Sequence, residues 1–271
     1  MSRTAADPIS ADTLRFAGNV KYSICTLVTR VAQYREMVES FHNKGFSEPD
    51  CEFLFLDNSE RNTYDAFAGY NLFLRRARGE LIILCHQDVV LIDDGRTKLD
   101  EVIADLERRD RNWGVCGNSG GMSVGRLAIR ISDPHGADQR TVSLPARVRS
   151  LDENFMVVRA EANLALSHDL AGFHLYGTDL CIVADILGLN CYVIDFHLAH
   201  LSAGVKDASF AQVRSALIRK YARGFRSRWL ATPNTLLFLT GAAFLLPLNG
   251  RTVTRVIGAL KRVISAFGSA A

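Results

Sequence analysis

The chain has 271 residues, 48% hydrophobic and 23% charged, an ordinary balance for a folded protein with room for one large domain or a domain plus an appendage. Six cysteines (25, 51, 85, 116, 181 and 191) form no CxxC pair and sit mostly in apolar runs, which favours core thiols in a reducing compartment over disulfides or a zinc site. The net charge of +3 conceals an asymmetry. Between Lys206 and Arg262, eleven Lys or Arg face one acid, Asp207, a local charge of +10 that leaves −7 on the rest, so the two parts are expected to meet different partners.

Residues 1–20 read as an N-terminal tail. The stretch from Met1 to Gly18 carries scattered charges and no apolar core, which argues against a signal peptide and for a cytoplasmic protein. Tyr22–Val28 reads as a buried strand and Val31–His42 as a helix. Cys51–Leu56 is a second strand, and Thr63–Ala77 has Phe67, Tyr70, Phe73 and Leu74 on one helical face. The unbroken apolar run Leu81–Cys85 predicts a central strand covered on both faces. A helix over about Lys98–Arg108 and a short strand at Trp113–Cys116 follow. This alternation predicts an α/β fold with a mixed, mainly parallel sheet flanked by helices. From Gly117 to Arg149 the pattern changes to loops and short antiparallel strands. A helix near Asp179–Leu187 and a strand at Cys191–Ile194 complete a domain spanning 21–205.

Glycine-based nucleotide motifs are missing. No GxGxxG follows the first strand, no GxxxxGK[ST] is present, and the glycine cluster at 117–125 has no lysine. A G-x-S-x-G hydrolase elbow is absent too, and only Arg30 is available after the first strand to hold a triphosphate, which disfavours a nucleotidyltransferase. What remains is a set of acids at strand and helix ends. Asp57 follows the second strand and Asp88 the third, in His86-Gln87-Asp88, where ligands of open α/β sheets bind. Asp179 opens a helix, and His200 lies beyond the last strand. Taken singly, Asp57 could cap a turn, Asp179 could complement a helix dipole and His200 could be structural.

Their order, with HQDV, SLDENF, GFHLYGTDLC and YVIDFHLAHLSAG, resembles the family 2 glycosyltransferases of the GT-A fold, in particular the subgroup named after the streptomycin-biosynthesis protein StrF. The resemblance implies a metal-dependent, inverting transfer of a sugar from a nucleotide-diphosphate donor to an acceptor hydroxyl on a glycolipid, cell-surface polysaccharide or small molecule. By the same likeness Thr29, Asp57 and Asn58 would line the nucleoside pocket, with Asn71 near the ribose or diphosphate. His86-Gln87-Asp88 stands where the family usually has Asp-x-Asp, so His86 and Gln87 join the donor-binding residues. Asp88 and His200 would hold Mn2+ or Mg2+, Asp179 would be the general base, and Asp152 and Glu153 would orient donor or acceptor hydroxyls. The alternative is a non-catalytic nucleotide-sugar-binding or scaffold protein at a membrane-bound glycan assembly.

Residues 206–271 read as a basic and apolar helical section. Trp229–Gly250 holds 22 residues without a charge, within the ~17–25 that span a bilayer, but Pro233, Asn234, Pro247 and Asn249 interrupt it. Beyond it, Val253, Val256, Ile257, Leu260, Ile264 and Phe267 share a helical face, the pattern of a helix lying on an anionic membrane surface. Peripheral docking on the inner face of the membrane, internal packing and a true span all remain open from the sequence. Few aromatics interleave the basic residues, which disfavours nucleic acid as a partner.

Overall fold

The computed structural model describes residues 20–204, 208–250, 252–253 and 256–257. Most of the N-terminal tail, and most of the amphipathic segment expected after Gly250, lie outside the described residues. Contacts divide the chain into two compact units, Met1–Arg214 and Ser215–Ala271.

The first unit is mixed α/β. Its main sheet contains β1 (Tyr22–Val28), β2 (Cys51–Asp57), β3 (Leu81–Cys85), β5 (Trp113–Gly117), β9 (Ala146–Val148), β11 (Phe155–Arg159) and β12 (Asn190–Val193), in the order β2-β1-β3-β11-β5-β12-β9. Five strands run one way; β11, between β3 and β5, and the edge strand β9 run the other. The apolar runs expected to be strands are strands. The sheet is mixed and mainly parallel, as expected; the Phe155–Arg159 strand was not anticipated, and it supplies the antiparallel member at the centre. Strands β3 and β5 are buried at every position, as central strands covered on both faces must be.

Four helices flank this sheet: α1 (Val31–Asn43), α2 (Ala66–Arg76), α3 (Arg96–Arg109) and α4 (Tyr176–Ile186). Period-2 alternation sends Tyr22, Ile24, Ile83, Phe155 and Val157 into one cluster with Met37 and Phe41 of α1 and Leu99, Ile103 and Leu106 of α3. Helix α2 starts three residues later than its apolar pattern suggested. Asp65 caps it, accepting from Phe67 N at 2.8 Å and Ala68 N at 3.2 Å.

A second sheet contains β4 (Val89–Val90), β6 (Ser119–Ser123), β7 (Arg126–Asp133), β10 (Ser150–Leu151) and β13 (Ala199–His200), in the order β10-β6-β7-β13-β4, with β8 (Gly136–Arg140) paired to β7. The 117–149 region is thus largely antiparallel, as expected. All six cysteines are buried and unpaired.

Helix α5 (Ala208–Gly224) contains the division between the two units. The C-terminal section is helical only in part: in the second unit the uncharged run, expected to be helical, is interrupted by Pro233 and Asn234 and forms an antiparallel hairpin, β14 (Arg228–Ala231) with β15 (Leu236–Leu239), followed by a 3-10 turn at Ala243–Asn249. Among the described residues no helix is long and apolar enough to cross a membrane.

Candidate metal centre and adjoining cavity

The His86-Gln87-Asp88 trio sits where β3 ends and β4 begins. Strand β13 pairs antiparallel with β4, Ala199 opposite Val90 and His200 opposite Val89, and Leu201 N donates to Asp88 O at 3.0 Å. This short ladder brings two distant parts of the sequence together. His200 Nε2 lies 3.4 Å from Asp88 Oδ1, and the His86 and His200 rings are 5.5 Å apart. One ligand-capable atom from each of His86, Asp88 and His200 falls within 4.8 Å of the others. His86, expected among the donor-binding residues, therefore joins the two expected metal ligands.

The electrostatics suit a cation. Burial pushes the Asp88 carboxyl up, but hydrogen bonds from His200 and Ser202 and the charges of both histidines outweigh it and hold the group well below the usual carboxylate range. Burial, then His200, pushes His86 below its ordinary value, despite the opposing pull of Asp88. An ionised carboxylate beside a neutral imidazole is the protonation state a metal requires. One hard oxygen and two imidazoles fit Mn2+ well and Mg2+ less well, since Mg2+ prefers oxygen throughout.

A cavity of about 220 Å³ opens beside this cluster, lined by Thr29, Asn58, His86, Gln87 and Asp88 together with Leu27, Ala66, Tyr70, Phe173 and Tyr176. Gln87 shapes its rim: Oε1 accepts from Thr29 N and Arg30 N, each at 2.8 Å, and Nε2 donates to Thr29 Oγ1 at 2.7 Å. Buried Asn58 closes a loop by bonding both the N–H and the C=O of Tyr64. The sequence assigned no role to Tyr176, Tyr70 or Phe173. Tyr176 and Phe173 lie inside the GFHLYGTDLC phrase, and that phrase was the available signal. Tyr176 Oη is 2.9 Å from His86 Nε2 and donates to Glu153 O at 3.3 Å.

Other expected site residues stand off the cavity lining. Asp57 ends β2 in solvent, where the Ser59 side chain and backbone N–H hold its carboxyl below the usual range. Asn71 is buried on α2, and its carboxamide clamps the backbone of Leu166: Nδ2 donates to Leu166 O at 2.9 Å and Oδ1 accepts from Leu166 N at 2.8 Å. Asp152 Oδ1 accepts from Asn154 N at 3.1 Å and from Asn154 Nδ2 at 2.6 Å.

Asp179 is 0% exposed, and its oxygens accept from Ser167 N at 2.8 Å and Ser167 Oγ at 2.7 Å. Glu153 Oε1 accepts from Gly177 N at 3.3 Å in the first turn of α4. Burial, and then the charge of Asp152, push its carboxyl up to about 8. Leu175, immediately before α4, has φ 60°, a left-handed conformation that leucine rarely adopts; it sits beside Tyr176 in the cavity wall.

No family model matches the chain. The protein described as ATP synthase subunits region ORF 6 from Fuscovulum blasticum is 40% identical over 215 residues, 77% of this chain and 86% of that protein. Among solved structures, GalNAc-T7 with UDP, GalNAc and Mn2+ has a TM-score of 0.49 at 11% identity, covering 68% of this chain and 44% of that one. The mannosyltransferase PcManGT from Pyrobaculum calidifontis in complex with GDP-Man and Mn2+ has a TM-score of 0.48 at 13% identity, with coverage of 75% and 64%. S. aureus TarS 1-349 in complex with UDP has 0.49 at 14% identity, with coverage of 74% and 65%. The chain spans less than half of the first of these structures and under two thirds of the other two.

Proposed function

The chain belongs to the family of the ATP synthase subunits region ORF 6 protein of Fuscovulum blasticum, and we propose that it is a metal-dependent, inverting glycosyltransferase of the GT-A, family 2 type, close to the StrF-like subgroup. The observation that carries this reading is the approach of His200 Nε2 to within 3.4 Å of Asp88 Oδ1, with His86 completing a ligand-capable trio at the edge of a cavity.

In this reading Asp88, His200 and His86 would hold Mn2+, or less favourably Mg2+, and the bound ion would neutralise the departing nucleoside diphosphate as a Lewis acid. Thr29, Asn58 and Gln87 line the cavity with polar edges that suit a nucleoside, while Leu27, Tyr70 and Phe173 supply the apolar wall on which a base rests. Asp57, at the exposed end of β2, is the donor contact least supported by its surroundings. The acceptor is a hydroxyl of a glycolipid, polysaccharide or small molecule at the inner face of the cell membrane.

Two carboxylates compete for the role of base. The family resemblance assigns it to Asp179, yet that side chain is fully buried and holds Ser167 through both oxygens. A second assignment, Glu153, is favoured by its carboxyl lying against Gly177 N, by its backbone link to Tyr176 in the cavity wall, and by a proton affinity near neutral pH. A base with a pKa close to the working pH contributes ~10²–10⁴ in rate. Asp152, beside it, orients hydroxyls.

The test is a thermal-shift screen of nucleoside diphosphates and their sugar conjugates with and without Mn2+, followed by donor hydrolysis. Stabilisation by one nucleotide series that requires Mn2+, and its loss in Asp88→Asn, is the expected result. Equal responses with and without Mn2+ in both proteins would sink the metal assignment. Glu153→Gln is expected to retain nucleotide binding and lose turnover; full turnover in that variant returns the base role to Asp179.

A further inference from the structure

His86 meets the ligand cluster through one of two ring nitrogens, and the two have different surroundings. Nδ1 lies 4.0 Å from Asp88 Oδ1, on the side of the candidate ligands, while Nε2 lies 2.9 Å from Tyr176 Oη. A neutral imidazole carries one N–H, and the nitrogen without it is the one that can ligate a metal. The position of a single proton therefore decides whether His86 can join Asp88 and His200.

The surroundings of Tyr176 fix that position. Its hydroxyl has one hydrogen, which it donates to Glu153 O at 3.3 Å. A backbone carbonyl only accepts, so this bond leaves the phenolic oxygen with lone pairs alone for its other neighbours. The Tyr70 hydroxyl is one of them and His86 Nε2 is another. Turning the hydroxyl toward Nε2 instead would take this donor from Glu153 O. It would also put the imidazole N–H on Nδ1, 4.0 Å from Asp88 Oδ1 and beyond hydrogen-bond reach. The phenol is held in place as well. Tyr176 is 1% exposed, and its ring lies 5.0 Å from that of Tyr70 and 6.4 Å from that of Phe67. Beside it the first turn of α4 packs so closely that a Cβ at Gly177 would lie 2.6 Å from Leu151 O.

We propose that Tyr176 is a positioning residue for the metal site: its oxygen accepts the Nε2–H of His86, fixes that tautomer and leaves the Nδ1 lone pair facing the cation. A hydrogen bond at the second nitrogen sets both the tautomer and the ring orientation of a ligating histidine. An unprotonated Nδ1 beside the ionised Asp88 carboxylate sets two electron-rich atoms toward each other, which a cation between them stabilises. The proposal rests on the metal reading above and adds to it a residue that acts on the cation through His86.

The experiment reads the proton first and then the metal. The full chain, metal-free and isotope-labelled in its histidines, is measured by long-range proton–nitrogen correlation at about pH 8, where an ordinary imidazole is neutral. His86 is the signal that disappears in His86→Gln. Expected is the Nε2–H tautomer in the parent and a mixture of tautomers in Tyr176→Phe, which keeps the ring and removes only the hydroxyl. Titration with Mn2+ alone, read by electron paramagnetic resonance of the free ion, should show affinity about 10–100-fold weaker in Tyr176→Phe. A merely structural tyrosine would lower the melting temperature of that variant and leave tautomer and Mn2+ affinity as in the parent.

A predominant Nδ1–H tautomer in the parent overturns the proposal without any variant, so the test holds whether or not Tyr176→Phe folds. Equal Mn2+ affinity in the parent and Tyr176→Phe overturns it too, and leaves the metal reading standing. Failure of the parent to bind Mn2+ sinks the metal reading, and the proposal falls with it.

Discussion

Asn71→Ala separates a ligand contact from a structural clamp. The Asn71 side chain is buried on α2 and bonds both the C=O and the N–H of Leu166, itself 2% exposed, at 2.9 and 2.8 Å. Alanine leaves two backbone groups of Leu166 without partners in a place water does not reach. Each such orphan costs about 1–3 kcal/mol, so the loss should be about 2–6 kcal/mol, a large part of the ~5–15 kcal/mol that holds a typical domain. For a unit of this size 1 kcal/mol moves the midpoint by about 2–4 °C, so a loss of about 4 kcal/mol lowers it by about 8–16 °C. Asn71→Asp is the sharper variant. It retains an acceptor for Leu166 N but sets a carboxylate oxygen against Leu166 O, and it should fare no better than alanine. Thermal unfolding with and without the nucleotide found in the screen measures both effects. A midpoint within about 2 °C of the parent, together with lost nucleotide affinity, would refute the clamp and return Asn71 to the donor site.

The remaining predictions concern titration, close packing and the metal. The Glu153 carboxyl rises from 4.5 to about 8 in the folded chain. The unfolded chain therefore loses its proton first as pH rises, and stability falls across that window by on the order of 1 kcal/mol per pH unit. Glu153→Gln should flatten this slope in melts taken from about pH 5 to pH 8, and an unchanged slope would contradict the shift. A Cβ at Gly79 would lie 2.6 Å from Ser23 N and 2.9 Å from Tyr22 C, both backbone atoms of β1 that cannot yield cheaply. Gly79→Ala should cost about 1–3 kcal/mol in denaturant unfolding. His200→Ala should lower Mn2+ affinity in calorimetric titration, and an unchanged affinity would contradict a ligand role for His200.

The frame of this protein is written in its apolar runs. Leu81–Cys85 has the same bounds in sequence and structure because an unbroken apolar run marks a strand covered on both faces, and Tyr22–Val28 keeps its bounds although it buries Ser23 and Thr26, whose hydroxyls find partners in Glu52 and Cys85. Strand β11 has no clear local signature because Phe155–Arg159 begins on the last residue of the acidic SLDENF phrase, and its reversed insertion between β3 and β5 is a choice of partner that no local pattern encodes. The hairpin at 228–239 lacks one for another reason. Both its faces are apolar, so the period-2 alternation that marks a half-buried strand is absent, and the run imitates a longer buried element. At the site, the order of acids and histidines singled out Asp88 and His200, while the destination of a carboxamide is a tertiary matter. Asn58 and Asn71 look alike in sequence, yet one lines the cavity and the other is used up on Leu166.

That difference also shows how the two halves of the site are tied. Asn71 fixes Leu166, the next residue Ser167 gives its N–H and hydroxyl to Asp179, and Asp179 lies in the first turn of α4. The same turn begins with Tyr176, whose hydroxyl meets His86 Nε2 at 2.9 Å. On the opposite side, Asp88 and His200 are joined by the two-residue ladder of β4 and β13. His86 is therefore the point where a chain of buried polar contacts from α2 reaches the candidate ligands. A polar chain of this kind stays rigid only while every member is satisfied. Loosening it at Asn71 should accordingly act on the orientation of His86 and leave the Asp88–His200 pair, which the ladder holds independently.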